Sequence, residues 1–173
     1  LGVTGTLSPG QSYGSTGTAI LKAGATTFNA GSTFSVDLNG TTAGSGYDQL
    51  DLTSANLTLT GSPTLSISLA SGFTPTINST YTIIKTAGTV TGTFSGLANN
   101  ATVAVGSSTF SVNYINGTGV TLTAVGATAT VSVASSSTTT TYGSSVTFTA
   151  TVTGPNGFGV PAESYEFANK KTS

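Results

Sequence analysis

The sequence predicts an all-β protein, and three observations carry that prediction. Apolar residues recur at every second position along most of the chain, which is the periodicity of a strand with one buried face. β-branched Thr and Val dominate these segments, and many of the 23 glycines separate them, as turn residues do. No N-capping signal leads into an amphipathic run, so we expect no helix longer than about two turns.

Alternation is strongest between residues 34 and 85, where the first clear strands are expected. They are placed at residues 34–38, 47–52, 55–59, 65–69 and 81–85. In the last of these, the adjacent Ile83 and Ile84 interrupt the alternation. Such a pair is typical of a strand that is covered on both faces, so we expect both side chains to be buried.

Further strands are expected at residues 103–105, 110–114 and 120–122, and their connections bear on topology. Gly106-Ser107 and Asn116-Gly117 are short turn sequences that suit antiparallel hairpins. Two topologies remain open for the whole region: an antiparallel sandwich or barrel, or a β-solenoid whose parallel rungs stack on one another. Strands rich in Thr, Ser, Val and Asn, with small residues at the corners, favour the solenoid, with hairpins near residues 103–122.

Composition changes near Gly126, which indicates a second module. Residues 127–141 contain no Leu, Ile or Phe, and the cleanest alternating strand of the chain follows at residues 144–152. The last stretch, residues 162–173, holds both glutamates and two of the four lysines. We therefore expect a solenoid-like domain over residues 1–125 and a second module over residues 126–173.

The charge content argues against most functional classes. The chain has no His, Cys, Trp, Met or Arg, and 5% of its residues are charged, where about 25% is usual. Acid–base catalysis, nucleophile activation and soft-metal binding draw on the missing residue types. A net charge of −1 offers no basic surface for nucleic acid, and no apolar run is long enough to span a bilayer. We expect no enzyme activity and no cofactor.

Three aspartates are the candidate chemical site. Asp48 and Asp51, joined by Asp37 and backbone carbonyls, would supply the oxygen ligands that Ca²⁺ prefers. Alternatively, Asp48 caps a turn by accepting hydrogen bonds from nearby amides, and Asp51 faces solvent. Positions three apart on a strand point to opposite faces, which favours the second interpretation.

Aromatic residues give a second pair of interpretations. Tyr47, Tyr81, Tyr114 and Phe110 would form a stacking platform for a sugar if they were exposed. Their alternation with Val and Ile instead favours positions in the core. Leu1-Gly2-Val3 carries no Met and no signal peptide, so we interpret the chain as a mature or excised piece of a longer product.

Two stretches resemble known bacterial families. Residues 5–10, Gly-Thr-Leu-Ser-Pro-Gly, resemble the rung motif of autotransporter-associated β-strand repeats. Residues 32–50 are similar to the segment that follows those repeats in large bacterial surface proteins, and segments 72–75, 81–84 and 90–97 continue the pattern, so the likeness covers about residues 1–124. Residues 138–152, with Tyr-Gly-x-x-Val-Thr-Phe-Thr-Ala-Thr-Val, resemble the opening of bacterial immunoglobulin-like repeats. The resemblance implies a secreted surface protein with a right-handed β-solenoid followed by sandwich domains, structural or adhesive in role, with no shared catalytic residues.

The second resemblance is incomplete. An immunoglobulin-like sandwich needs about 100 residues, and roughly half that number follows Gly126. Such a module is either truncated or completed from elsewhere, and an unfinished sandwich leaves open edges and an apolar face. The residues expected to make subunit or strand-exchange contacts are Val146, Phe148, Val152, Tyr165 and Phe167.

Together these observations predict a non-catalytic extracellular structural protein of the bacterial cell surface. We expect a building block of a stalk or filament, assembled by strand pairing between subunits as a head-to-tail homopolymer, or a part of a longer multi-module chain. The alternative is an adhesin or carbohydrate-binding module that takes surface glycans.

Overall fold

The computed structural model describes residues 1–10, 17–126, 130–139, 141, 144 and 146–153. The chain divides into two compact units, Leu1–Gly126 and Ala127–Ser173, which are described separately below. Strands are the only regular secondary structure among the described residues, so the predicted all-β class is confirmed. Within those same ranges, no helix has the length and apolar character that crossing a bilayer requires.

Ten short strands make up the larger part of the first unit. They are β1 (Gly2–Val3), β2 (Thr6–Leu7), β3 (Ile20–Lys22), β4 (Thr26–Phe28), β5 (Thr33–Leu38), β6 (Gln49–Asp51), β7 (Leu57–Leu59), β8 (Thr64–Leu69), β9 (Thr80–Lys85) and β10 (Val90–Thr91). From β1 to β7, each strand pairs in parallel with the strand three places later in the sequence. The chain therefore visits three sheets in turn, adding one parallel strand to each sheet per circuit.

Three antiparallel strands follow. They are β11 (Thr102–Val105), β12 (Ser108–Ile115) and β13 (Gly119–Val125), and β13 pairs antiparallel with β9. The hairpins expected near residues 103–122 are confirmed, although a three-residue loop, 116–118, replaces the expected two-residue turn. The result is a six-stranded mixed sheet in the order β11-β12-β13-β9-β6-β3. Its β13–β9 register shifts between Val120 and Thr121, which marks a β-bulge.

A hydrophobic cluster between the sheets holds the first unit together. On β5, the alternating residues Phe34, Val36 and Leu38 are fully buried, each with 0% exposure. Ile83 and Ile84 on β9 are both at 0% exposure, as their adjacency predicts. Full burial of such side chains contributes roughly 1.5–3 kcal/mol each, so stacked apolar positions are the main source of stability.

The described part of the second unit is an antiparallel ribbon. Strand β14 (Thr130–Ser135) pairs with β15 (Phe148–Thr153), from Thr130 opposite Thr153 to Ser135 opposite Phe148. The alternating segment 144–152 thus does form a strand, which begins four residues later than expected. A two-stranded ribbon is marginally stable by itself. That this ribbon belongs to an immunoglobulin-like sandwich stays a prediction.

Two glycines of the β12–β13 hairpin provide a matched test of backbone packing. Gly119 has φ +119°, and a Cβ there would lie 1.8 Å from the carbonyl oxygen of Ile84. Gly117 has φ +76°, but a Cβ there would meet nothing within 4 Å. We expect Gly119→Ala to lower the free energy of unfolding by about 3 kcal/mol or more, and Gly117→Ala by about 1–2 kcal/mol. Urea denaturation measures both, and equal losses would contradict a close approach at Gly119.

Candidate functional site

Asp48 and Asp51 both make contacts within the fold of the first unit. Asp48 is fully buried, and its Oδ1 accepts a hydrogen bond from the Ala19 amide at 2.8 Å while Oδ2 accepts one from the Asp37 amide at 3.0 Å. Burial raises the pKa of this carboxyl, and the two amide hydrogen bonds offset part of that effect. The expected cap of a local turn is wrong, because the amides lie 29 and 11 residues away along the chain.

Asp51 is also placed differently from the expectation that it faces solvent. Its side chain is 13% exposed, and its Oδ2 lies 3.7 Å from Nζ of Lys85. Its Oδ1 accepts a hydrogen bond from the Thr53 amide at 2.9 Å. No group of three or more acidic, His or Cys residues within the described ranges is arranged to hold a metal ion. The oxygens of Asp48 and Asp51 are engaged by backbone amides and by Lys85 within the fold.

The aromatic residues occupy the core, as their alternation predicts. The ring of Tyr81 packs edge-on against Tyr47 and Phe110, with centroids 5.4 and 6.1 Å away. Tyr114 is half-buried; its hydroxyl donates to the Leu97 carbonyl at 2.8 Å and accepts from the Phe94 amide at 3.0 Å. Since three of these rings are buried and the fourth has its hydroxyl engaged, they offer no exposed stacking platform.

The most distinctive surface feature of the first unit is the open edge of β8. This six-residue strand is an end member of the sheet β2-β5-β8, paired on one side with β5. Thr64 N–H donates to the Ser32 carbonyl and Ala70 N–H to the Leu38 carbonyl, so the even-numbered residues direct their amides towards β5. Backbone groups alternate in direction along a strand, and the remaining ones therefore point away from β5.

Three residues provide the backbone groups of this open edge: Leu65, Ile67 and Leu69. Within the described residues, no hydrogen bond joins their outward N–H and C=O groups to another strand. Their side chains are half-buried, whereas their register partners Phe34, Val36 and Leu38 are fully buried. The apolar side chains of β5 and β8 form a column, and this column ends at β8 with side chains that are only partly covered. A row of unpaired groups beside partly exposed apolar side chains is a template for an added strand.

The residues expected to make subunit contacts fall in or after the ribbon of the second unit. Val146 is half-buried, and Phe148 lies opposite Ser135 with 42% of its side chain exposed. Val152 pairs with Val131 in the register, and Tyr165 and Phe167 lie outside the described residues.

One face of this ribbon is apolar and uncovered. Val131 and Val133 share that face of β14 with Phe148 of β15, and their exposures are 64%, 65% and 42%. The sequence analysis predicted Phe148 as a contact residue but did not predict Val131 or Val133, although these two valines alternate with polar residues in β14. Exposed apolar groups of this kind are typical of a surface that another segment covers.

Comparisons with protein-family models, with curated proteins and with solved structures found no match for this chain. No residue role is therefore transferred from a relative. The candidate functional surfaces are those that the geometry itself presents: the open edge of β8 in the first unit and the apolar ribbon face in the second.

Proposed function

We propose that residues 1–126 form a β-solenoid and that the chain is a non-catalytic structural element of a bacterial surface stalk or filament. The observation that carries this proposal is the parallel pairing of strands three places apart, maintained through seven successive pairs. A chain that returns to the same three sheets in turn stacks its circuits, as solenoid rungs do. The extracellular location rests on the resemblance to autotransporter-associated repeats and on the charge-poor surface.

A structural role agrees with the contacts that the carboxylates of Asp48 and Asp51 make within the first unit. The buried carboxylate of Asp48 holds two backbone amides, and Asp51 is engaged by Lys85 and the Thr53 amide. Glycoside hydrolysis requires two carboxylates facing each other across a cleft with access to substrate. These acids have no such arrangement, which supports the proposal that the protein is not an enzyme.

Assembly would proceed through the open edge of β8, with a second copy of this chain supplying the added strand. The sequence Thr64-Leu65-Ser66 at the start of β8 repeats Thr6-Leu7-Ser8 at β2. Both segments align with Thr33-Phe34-Ser35 of β5 in the parallel register. A strand of this type from a second copy would pair with β8 along Leu65–Leu69, because the amide of Ser95 already donates to the Pro63 carbonyl at 2.8 Å and holds the place opposite Thr64.

A head-to-tail contact of this kind does not close on itself, and it builds a filament. The apolar face of the ribbon in the second unit would provide a separate contact, as an incomplete immunoglobulin-like module that accepts a donated strand. In a longer multi-module chain, the same two surfaces would join neighbouring modules of a stalk.

Charge placed on the edge strand tests the assembly. Ser66 and Ser68 are exposed on the outer side of β8, so the double variant S66K/S68K adds two positive charges there without touching the core. We expect wild type to associate with rising concentration in sedimentation velocity and to show filaments in negative-stain micrographs. The double variant should associate at least about tenfold more weakly.

The matched control for this test is T109K/S111K. It adds the same two charges to β12, a strand with partners on both sides. The control should associate like wild type. A wild-type protein that stays monomeric at high concentration, or equal weakening in both double variants, would contradict assembly through β8.

A further inference from the structure

A shallow depression on the mixed sheet, open to solvent, is separate from the edge of β8. It has a volume of about 330 Å³ and lies where β6, β9 and the loop between β12 and β13 meet. Its lining includes the hydroxyl-bearing residues Thr53, Thr82, Thr86 and Thr118, together with Gln49 and Tyr47. The β-bulge at Val120 and Thr121 lies in the adjoining β13–β9 pair, and bulges commonly occur beside binding sites.

Gln49 gives this cavity a fixed hydrogen-bonding group. Its side chain is 6% exposed, and its Nε2 donates to the Thr82 carbonyl at 2.7 Å. Its Oε1 has no hydrogen-bond partner among the described residues, where the one fully enclosed unpaired side-chain atom is Ser8 Oγ. The Oε1 atom is therefore not fully enclosed, and it belongs to a side chain that lines the cavity. An acceptor held in place by its own amide group is preorganised for a ligand donor.

Two further groups of the lining are held in place by the fold. Tyr47 is 7% exposed, and its ring packs edge-on against Tyr81. Thr86 is 1% exposed; its hydroxyl donates to the Ala55 carbonyl and accepts from the Gly88 amide. With these positions set by the core, binding would cost little side-chain entropy.

The charges around the cavity narrow the class of ligand. Lys85 and Tyr47 are the titratable residues of the lining, and the ammonium of Lys85 already lies 3.7 Å from the Asp51 carboxylate. The other polar groups of the lining are hydroxyls and an amide, which both donate and accept hydrogen bonds. The lining has no unpaired charge to hold an anion. The matching ligand is neutral and rich in hydroxyl groups.

We propose that this cavity binds a neutral sugar residue, such as the accessible end of a surface glycan. Its volume is at the lower end of the range for small-molecule sites, about 300–1,000 Å³, which suits one or two sugar rings. Recognition would rely on hydrogen bonds, because the ring of Tyr47 is too buried to act as a stacking platform. This proposal does not depend on filament assembly, since β8 belongs to a different sheet.

Titration with neutral sugars tests the proposal. The ¹⁵N-labelled full chain is titrated with glucose, galactose, mannose and N-acetylglucosamine, and amide chemical shifts are followed by NMR. At least one sugar should produce saturable shifts centred on Gln49, Thr82 and Thr118. Glucuronate, an anionic sugar, should bind more weakly than its neutral counterpart. The edge variant S66K/S68K should bind like wild type, which separates this site from the assembly surface.

Two variants at the exposed loop residue Thr118 make the test specific. T118V removes one hydroxyl and should weaken binding at least about fivefold, while T118R should fill the opening and abolish the shifts. T123V removes a hydroxyl from β13 outside the cavity lining and should leave binding unchanged. Absence of saturable shifts with every sugar, shifts that persist in T118R, or tighter binding of glucuronate would overturn the proposal. So would shifts at these residues that follow protein concentration instead of sugar, since a second copy would then be the occupant.

Discussion

Asp48→Ala is expected to lower the free energy of unfolding by about 3–5 kcal/mol at neutral pH. The substitution removes two hydrogen bonds to a charged acceptor, each worth roughly 1.5–3 kcal/mol, and leaves the amides of Ala19 and Asp37 without that acceptor. The carboxylate is fully enclosed, so water does not readily take its place. Urea denaturation of wild type and variant, followed by circular dichroism, measures the difference.

Asp37→Ala is the matched control, because the Asp37 side chain is half-exposed and the substitution keeps the backbone amide that donates to Asp48. This control should change the free energy of unfolding by less than about 1 kcal/mol. A loss as large as that of Asp48→Ala would show that general charge effects dominate over the two buried hydrogen bonds.

The same carboxyl gives stability a defined pH dependence. Burial raises the pKa of Asp48 above its ordinary value of 3.8, so the folded state binds this proton more readily than the unfolded state does. Its contribution to stability is therefore greatest at low pH and falls as pH rises from about 3.8 to the raised folded pKa, with no further change above it. Asp48→Asn should lack this component. The measurement is the denaturation midpoint of wild type and of Asp48→Asn between about pH 3 and 7. If the midpoints of the two proteins changed with pH at the same slope, the prediction would be wrong.

Phe34→Ala should cost about 4 kcal/mol, because it empties the centre of the aromatic cluster. The ring of Phe34 is fully buried, with centroid distances of 5.5 Å to Phe28 and 6.4 Å to Phe94. Removal leaves a cavity between three sheets that are tied by backbone hydrogen bonds and so cannot easily collapse into it. The measurement is again the free energy of unfolding in urea.

Phe73→Ala serves as the comparison for that prediction. Phe73 is half-buried, with its ring at the margin of the core, 6.4 Å from the Tyr81 centroid. We expect a loss of no more than about 2 kcal/mol, since part of the ring is already hydrated. Similar losses for both variants would mean that the centre of the core is no better packed than its margin.

Alternation along the chain placed most of the longer strands, but it missed the six-residue β14. On β5, the alternating positions carry Phe34, Val36 and Leu38, all fully buried, so the alternation directly predicts which side chains are buried. The strands β1 to β4 and β10 were not predicted, because they lack the alternating leucines that marked the equally short β6 and β7. Their existence depends on the neighbouring strands with which they pair.

The contacts of Asp48 and the two candidate functional surfaces of the first unit depend on which strands pair with one another. The partners of Asp48 are distant in sequence, and only the parallel stacking brings the amide of Ala19 to its carboxylate. The open edge of β8 exists because the chain leaves the three-sheet circuit after β10, a departure that local alternation does not reveal. Likewise, the cavity beside Gln49 is formed by β6, β9 and a later hairpin loop, so no single segment carries its signature.

The antiparallel pairing of β13 with β9 has a consequence for how proteins of this design can change in length. Thr33 lies opposite Thr64, so duplication of residues 33–63 would insert one complete circuit and about 4.8 Å of height while leaving the hairpins that follow unaltered. Those hairpins occupy the side of β9 where another parallel strand would otherwise pair. Tandem duplication can therefore add circuits to the three sheets of the first unit while the hairpins after them stay the same.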